Sequence, residues 1–365
     1  MVVSFFKNNI VMSIAAIAAL ITSFIVPPDS QYLSYFDFKT LTCLFCVLAV
    51  VCAFKNINFF YILAQRIVRS FQNLRYAIIA LVYITFIGSM LIANDMALLT
   101  FLPLGYFVLK STKKTKYMAF TFIMQNIAAN LGGMLTPFGN PQNLYLYTKF
   151  NIPNLEFIQI MFPPFIISIV LITVCCLFVK KEPLVLIDRK KYFSPKRAIL
   201  YSVLFVLSIA IVFRSIPYYI GLIIIPAVLL FVDRKALKMV DYPLLLTFVF
   251  FFIFAGNMAR IEAVRELFAY LLDMNTLVFS TLSCQIISNV PSAILLSQFT
   301  GNYADLLVGV NIGGVGTLNA SLASLISYRF YCSAENTRRG RYMLVFLAVN
   351  IIMLAIMLAF GIYIL

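Results

Sequence analysis

Asp95 occupies the most demanding position in the chain. It follows Asn94 in the middle of an apolar stretch, residues 76–109, and none of the other Asp and Glu residues sits at the centre of such a run. A carboxylate surrounded by hydrocarbon costs at least a few kcal/mol unless a cation, a proton or water compensates it. Its chemistry is that of a cation or proton seat, or of a cap on the backbone N–H groups of a tight turn. A second polar interruption, Ser288-Asn289 followed by Pro291, divides residues 276–299. The amides of Asn94 and Asn289 each offer an acceptor to a cation and donors to an anion. Asparagine is also an ordinary turn residue.

Two further stretches mix polar side chains with residues that break helices. Between Gln125 and Tyr147 lie Asn130, Gly132, Gly133, Thr136, Gly139, Asn140 and Asn143, with Pro137 and Pro141 among them. Between Gly309 and Tyr328 lie Asn311, Gly313, Gly314, Thr317, Asn319, Ser321 and Ser324. Setting Asn130 against Asn311 aligns Gly132 with Gly313, Gly133 with Gly314, Thr136 with Thr317 and Asn140 with Ser321. Glycine and proline free the backbone to unwind. Unwound carbonyls can then coordinate a cation, and the N-terminus of the next half-helix can face an anion. Small-residue helix packing uses Gly, Ser and Thr too, but it gives no account of the prolines and the paired asparagines.

These residues need a membrane to hold them. The 365 residues are 63% hydrophobic and 11% charged, with a mean hydropathy of +0.99. A soluble domain carries about a quarter charged residues, so the solvent of this chain is mostly lipid. There is no histidine, which removes His-based zinc sites, Ser-His triads and imidazole proton relays. The seven cysteines show no framework spacing and read as small buried hydrophobes. Without a second intramembrane carboxylate, a membrane-embedded enzyme is disfavoured, and no metal or organic cofactor is implied beyond a coupling sodium ion or proton.

Apolar runs fall at 10–27, 39–54, 76–109, 117–148, 157–179, 197–213, 217–232, 243–256, 276–299, 303–331 and 342–364. Residues 55–75 are too polar to span and suit an amphipathic helix on the membrane surface. Reading 76–109 and 276–299 as re-entrant hairpins leaves about nine full spans. With the N-terminus cytoplasmic and the C-terminus outside, only Lys39, Lys149, Arg214, Arg260 and Arg265 of the 28 Lys and Arg lie outside. Such a bias follows the positive-inside rule. It also argues against nucleic acid as a partner, since the cations sit in short loops between spans.

The expected architecture is an all-α polytopic membrane protein of two inverted repeats. Repeat 1 covers residues 1–196, with hairpin 76–109, broken helix 117–148 and span 157–179. A linking span occupies 197–216. Repeat 2 covers 217–365, with hairpin 276–299, broken helix 303–331 and a final span. The odd linking span turns the second copy over, so the polar tips of the hairpins meet near the midplane. Glycine-broken segments at matching places in two halves point to the binding site of a secondary transporter.

The segments ANLGGMLTPFGNPQNL at 129–144, AND at 93–95, SNV at 288–290 and GVNIGGVGTL at 309–318 resemble the ion transporter superfamily. That group includes divalent anion:sodium symporters, arsenite permeases, citrate transporters and sodium/proton antiporters of the same fold. The resemblance covers nearly the whole chain. It implies a scaffold domain and a mobile transport domain, a homodimer and an elevator-type movement. It also implies that Asn94 and Asn289 match the Asn of the Ser-Asn-Thr hairpin tips that bind sodium and carboxylate in the dicarboxylate branch. Here the tips read Ala-Asn-Asp and Ser-Asn-Val, so the first lacks both flanking hydroxyls and the second lacks one. Asp95 adds a charge that disfavours an anion unless a cation or proton neutralises it.

The function expected is a permease for a small carboxylate or oxyanion in the cytoplasmic (inner) membrane, coupled to sodium or protons. The alternatives are a sodium/proton antiporter or an arsenite-type efflux permease. The substrate and ion site is expected at Asn94, Asp95, Asn130, Gly132, Gly133, Thr136, Gly139, Asn140, Asn143, Ser288, Asn289, Asn311, Gly313, Gly314, Thr317, Asn319 and Ser321. Sodium would lie at Asn94, Asp95 and Asn289.

Overall fold

A computed structural model describes residues 9–184, 194–335 and 337–364. Four of the cations assigned to the cytoplasm, Lys7, Arg189, Lys190 and Lys191, lie outside the described residues. Eighteen α-helices and no strand are present among the described residues. The first half runs α1 (Ile10–Ile25), α2 (Tyr32–Tyr35), α3 (Phe38–Asn56), α4 (Phe59–Arg69), α5 (Leu74–Ile92), α6 (Asn94–Ser111), α7 (Met118–Gly132), α8 (Pro141–Lys149) and α9 (Asn154–Leu177). After α10 (Pro195–Val212) come α11 (Tyr218–Val232), α12 (Arg234–Lys238), α13 (Tyr242–Arg260) and α14 (Glu262–Ile287). The chain ends with α15 (Asn289–Leu296), α16 (Tyr303–Ile312), α17 (Leu322–Ser333) and α18 (Arg339–Ile364).

The expected all-α polytopic membrane fold is present. Five spans are continuous helices of at least 18 residues (α3, α9, α10, α13 and α18), and α1 and α11 are shorter apolar helices. The two remaining spans are broken, α7 from α8 and α16 from α17. Residues 76–109 form a hairpin whose legs α5 and α6 pack together. The chain turns at Ala93, which has φ 64 and ψ 153. The second hairpin turns at Ser288, with φ 77 and ψ 158.

One element of the second half had no expectation attached. Residues 262–274 form a helix that runs into the hairpin leg, interrupted only where Asn275 is extended. The Asn275 side chain accepts from Val278 N at 2.8 Å and so starts the leg afresh. Asn73 does the same after α4, accepting from Arg75 N at 3.0 Å. Each half therefore has a lateral helix, an asparagine cap and then a hairpin.

Packing crosses between the halves. α1 lies against α13, and α11 lies against α3, so the opening spans of one half pair with those of the other. Asn257 of α13 is fully buried and donates to Thr22 Oγ1 of α1 at 3.2 Å. The outward faces of α1, α9, α10, α11 and α18 carry exposed Ile, Leu, Val and Phe, as lipid-facing helices do. The broken helices are different. Every residue of α7 from Thr121 to Gly132, of α8 from Pro141 to Tyr147 and of α16 from Leu306 to Ile312 is buried. Their Asn and Gln side chains are buried away from lipid, as polar groups at this depth must be.

Candidate functional site

The two tips and the two breaks converge. Asn94 Nδ2 donates to Asn130 Oδ1 at 3.3 Å. Gly314 approaches both halves at once: a Cβ there would lie 3.1 Å from Asn289 Nδ2 and 3.4 Å from Asn130 Oδ1. Each tip asparagine folds back on its own helix start. Asn94 Oδ1 accepts from Asp95 N, and Asn289 Oδ1 accepts from Val290 N, both at 2.9 Å. This leaves the amide nitrogens to face the opposite elements.

Behind the tips the breaks are tied across the repeats. Asn311 Oδ1 accepts from Asn140 Nδ2 at 3.2 Å and Gln142 Nε2 at 3.4 Å. Asn311 Nδ2 donates to Asn143 Oδ1 at 2.6 Å. A second chain leads from Asn130 Nδ2 to the Asn126 carbonyl, then from Asn126 Nδ2 to Ser324 Oγ and on to Ser321 Oγ. All of these residues are buried. Buried amides wired in this way hold one arrangement, because losing any partner strands another polar group.

A cavity of about 600 Å³ opens against this cluster. Its polar wall is made of helix beginnings: Asn94 and Asp95 of α6, Pro141 and Gln142 of α8, Asn289 and Val290 of α15, and Leu322 of α17 with its cap Ser321. Ser288 and Asn319 complete that wall. Ile14 of α1 and Phe251 and Phe254 of α13 form an apolar wall opposite. The partial positive charges at four helix N-termini thus point into one apolar-walled space, where low dielectric strengthens their pull on an anion. Asp95 Oδ1 and Gln142 Oε1 are buried there with no hydrogen-bond partner, and unsatisfied acceptors of this kind suit a cation or a donor.

The remaining expected residues sit behind the cavity wall and brace it. Thr136 Oγ1 donates to the Met90 carbonyl at 2.8 Å, and Thr317 Oγ1 to the Gln285 carbonyl at 3.0 Å, fixing each break to the first leg of its own hairpin. A Cβ on Gly132 would overlap the Phe86 carbonyl oxygen and Ser89 Oγ. Gly133 and Gly139 press against each other's backbone, and Gly313 presses against Cys284.

Several residues join the site that sequence spacing had not marked. Asn126 and Gln142 are wired into the buried amide network. Gln285 stands one helical turn before Asn289, and its large amide among the smaller Ser and Thr and the apolar residues of the leg was the available signal. Asp241 and Arg329 both line the cavity and are exposed. Each comes from a loop or helix end that sequence spacing placed away from the hairpins.

A helical membrane protein whose hairpin tips and broken helices meet at an enclosed polar site belongs to the transporter class. The family profile of the citrate transporters matches residues 1–325, and the chain belongs to that family, within the ion transporter superfamily. It is 33% identical over 326 residues to the uncharacterized transporter MJ0456 of Methanocaldococcus jannaschii, covering 89% of each chain. It is 27% identical over 317 residues to the inner membrane protein YbiR of Escherichia coli K12, covering 84% of each. The protein is a multi-pass membrane transporter and not an enzyme.

Proposed function

We propose that this transporter moves a small anion, a carboxylate or oxyanion, together with a coupling cation, across the cytoplasmic membrane. The observation that carries the proposal is the convergence of four helix N-termini on one cavity. Backbone N–H groups there supply anion contacts without adding a full positive charge. The family profile makes citrate the first substrate to try, and the cavity is large enough for it.

Asp95 sets the order of events. A site that holds its own carboxylate repels an anion until a cation or proton arrives, since unpaired charge in a membrane is costly. The cation therefore binds first, at Asp95 with the tip amides Asn94 and Asn289, and the anion binds second. With the N-terminus cytoplasmic, the mouth carrying Asp241 and Arg329 faces inward. The hairpins and breaks would then travel as one body against α1, α3, α11 and α13, in an elevator-type movement of a homodimer.

Liposome uptake of labelled citrate, other carboxylates, phosphate and arsenite, under sodium or proton gradients, tests the proposal. Saturable anion uptake driven by one of the cation gradients is expected, and Asp95→Asn should change its pH or sodium dependence. An unchanged dependence would remove Asp95 from the mechanism. The unpartnered Asp95 Oδ1 also favours one alternative, sodium/proton exchange without an anion. Sodium-driven proton movement in vesicles free of any such substrate would select it.

A further inference from the structure

The unwound carbonyls of the two breaks are the expected place for a coupling alkali cation, and both breaks are already filled by an amide nitrogen. Asn143 Nδ2 lies 3.2 Å from the Gly133 carbonyl, 3.1 Å from that of Met134 and 3.2 Å from that of Thr136. In the other half, Gln285 Nε2 lies 2.8 Å from the Gly313 carbonyl and 3.2 Å from that of Val315, both at the break, and 3.2 Å from that of Thr281, one turn back on its own helix. Three carbonyl oxygens gathered on one point are the arrangement that would hold a bare cation. Here two N–H groups of a neutral amide serve them instead.

The orientation of each amide is fixed by its other end. Gln285 Oε1 accepts from the backbone N–H of Thr317 at 2.9 Å, a group that can only donate. The oxygen must face Thr317, so the nitrogen must face the carbonyls. Asn143 Oδ1 accepts from Asn311 Nδ2 at 2.6 Å, and that same nitrogen donates to the Leu307 carbonyl at 2.7 Å. Leu307 is a backbone acceptor, which fixes Asn311 and through it Asn143. Neither amide can turn its oxygen to the carbonyls without setting two acceptors or two donors face to face.

The equivalence is reached by different routes. Asn143 comes from the half-helix after its break, whereas Gln285 comes from the hairpin leg before its break. The positions that would match them, Ser324 for Asn143 and Met90 for Gln285, cannot supply an NH2 group. Satisfying both sets of carbonyls from unrelated positions indicates that the need is general to the fold. Each sharply unwound segment needs a positive partner for its carbonyls, and a side chain supplies it here.

We infer that Asn143 and Gln285 act as built-in substitutes for alkali cations at the two helix breaks, so that no sodium ion binds at either. The inference rests on the transporter reading and narrows its coupling site to the cavity at the tips. Asn143 and Gln285 are positioning residues in this account, and they are specificity-determining because their amides exclude sodium.

The test measures the melting temperature of the full-length protein in detergent, in sodium chloride and in choline chloride at equal ionic strength. Asp95→Asn serves as the background, removing the charged seat in the cavity. Sodium should then give no saturable rise. Adding Gln285→Glu or Asn143→Asp keeps the accepted hydrogen bond but replaces the N–H donors with oxygen. Those variants should melt lower in choline and recover with increasing sodium, which a structural role for the amides alone would not produce. A saturable, sodium-specific rise in Asp95→Asn itself would place sodium at the breaks and overturn the inference. Failure of the transporter reading shows up separately, as liposomes that take up no anion while the melting behaviour is as expected.

Discussion

The two hairpin tips share a backbone and differ in chemistry. Ala93 and Ser288 turn the chain through nearly the same angles, φ 64 and ψ 153 against φ 77 and ψ 158. Asn94 and Asn289 make the same bond to the next residue's N–H, each at 2.9 Å. The next residue is Asp95 in one tip and Val290 in the other, and both line the cavity. The duplicated geometry builds two matching tips, and the difference at this one position puts a charge on only one of them. Backbone form and ion chemistry have thus been separated: the first is shared by the halves, the second belongs to one of them.

The largest effect should come from unbalancing the two broken helices. Asn311→Leu takes a partner from Asn140, Gln142 and Asn143 together, and each stranded buried group costs about 1–3 kcal/mol. Asn130→Leu takes a partner from Asn126 Oδ1 and from Asn94 Nδ2, and of these Asn94 lines the cavity and can turn to water. Thermal melting should therefore fall much further for Asn311→Leu, and equal losses would break the comparison. Next comes Gly132→Ala, whose Cβ would meet the Phe86 backbone oxygen. Overpacking of that kind costs about 1–3 kcal/mol. Gly301→Ala, with nothing within 4 Å, is the matched control and should melt like the parent protein.

Moving the charge between tips sharpens the comparison without touching the fold. Val290→Asp in an Asp95→Asn background should restore cation-dependent anion uptake if both tips serve one shared site. Uptake that stays independent of the gradients would show that Asp95 acts through contacts peculiar to its own tip. Gly314→Ala is milder, because its Cβ would lie 3.1 Å from Asn289 Nδ2, 3.2 Å from the Asn311 carbonyl oxygen and 3.4 Å from Asn130 Oδ1, contacts relieved by shifts of a few tenths of an ångström. A several-fold weaker apparent substrate affinity with an unchanged melting temperature is expected.

The smallest effect lies outside the membrane. Glu182 bonds to Lys114, Lys116 and Tyr117, and these partners pull its carboxyl down to about 2. A depressed carboxylate pKa contributes stability above the unfolded value, and that contribution is lost as pH falls through the folded one. Glu182→Gln should lower the melting temperature slightly at neutral pH, and the difference should shrink between about pH 4.5 and pH 2. Because these side chains reach water, added salt should reduce the difference as well.

Much of the fold was legible because lipid imposes simple rules on sequence. Polar interruptions of apolar runs at Asn94, Asn289 and the two glycine pairs located both turns and both breaks, since lipid tolerates irregular backbone only inside protein. Length was a poorer guide. α5 and α14 are long and apolar enough to be counted as spans, yet each is a hairpin leg because the chain turns sharply at Ala93 or Ser288. The helix at 262–274 is rich in helix formers, but its charged residues Glu262, Arg265, Glu266 and Asp273 set it outside the apolar runs that were read as elements.

By itself the sequence determined the membrane class, the duplicated order of elements and the short roster of polar residues able to meet in lipid. These arise from hydropathy and from backbone preferences, which act locally. Only the tertiary structure decided which amide nitrogen faces which carbonyl, that Gln285 and Asn143 fill corresponding places from different elements, and that Asp241 and Arg329 reach the cavity. Such pairings depend on contacts between residues over 100 positions apart, as in the Asn140–Asn311 bond. No local pattern records them, because an asparagine reads the same in sequence whichever way its amide is turned.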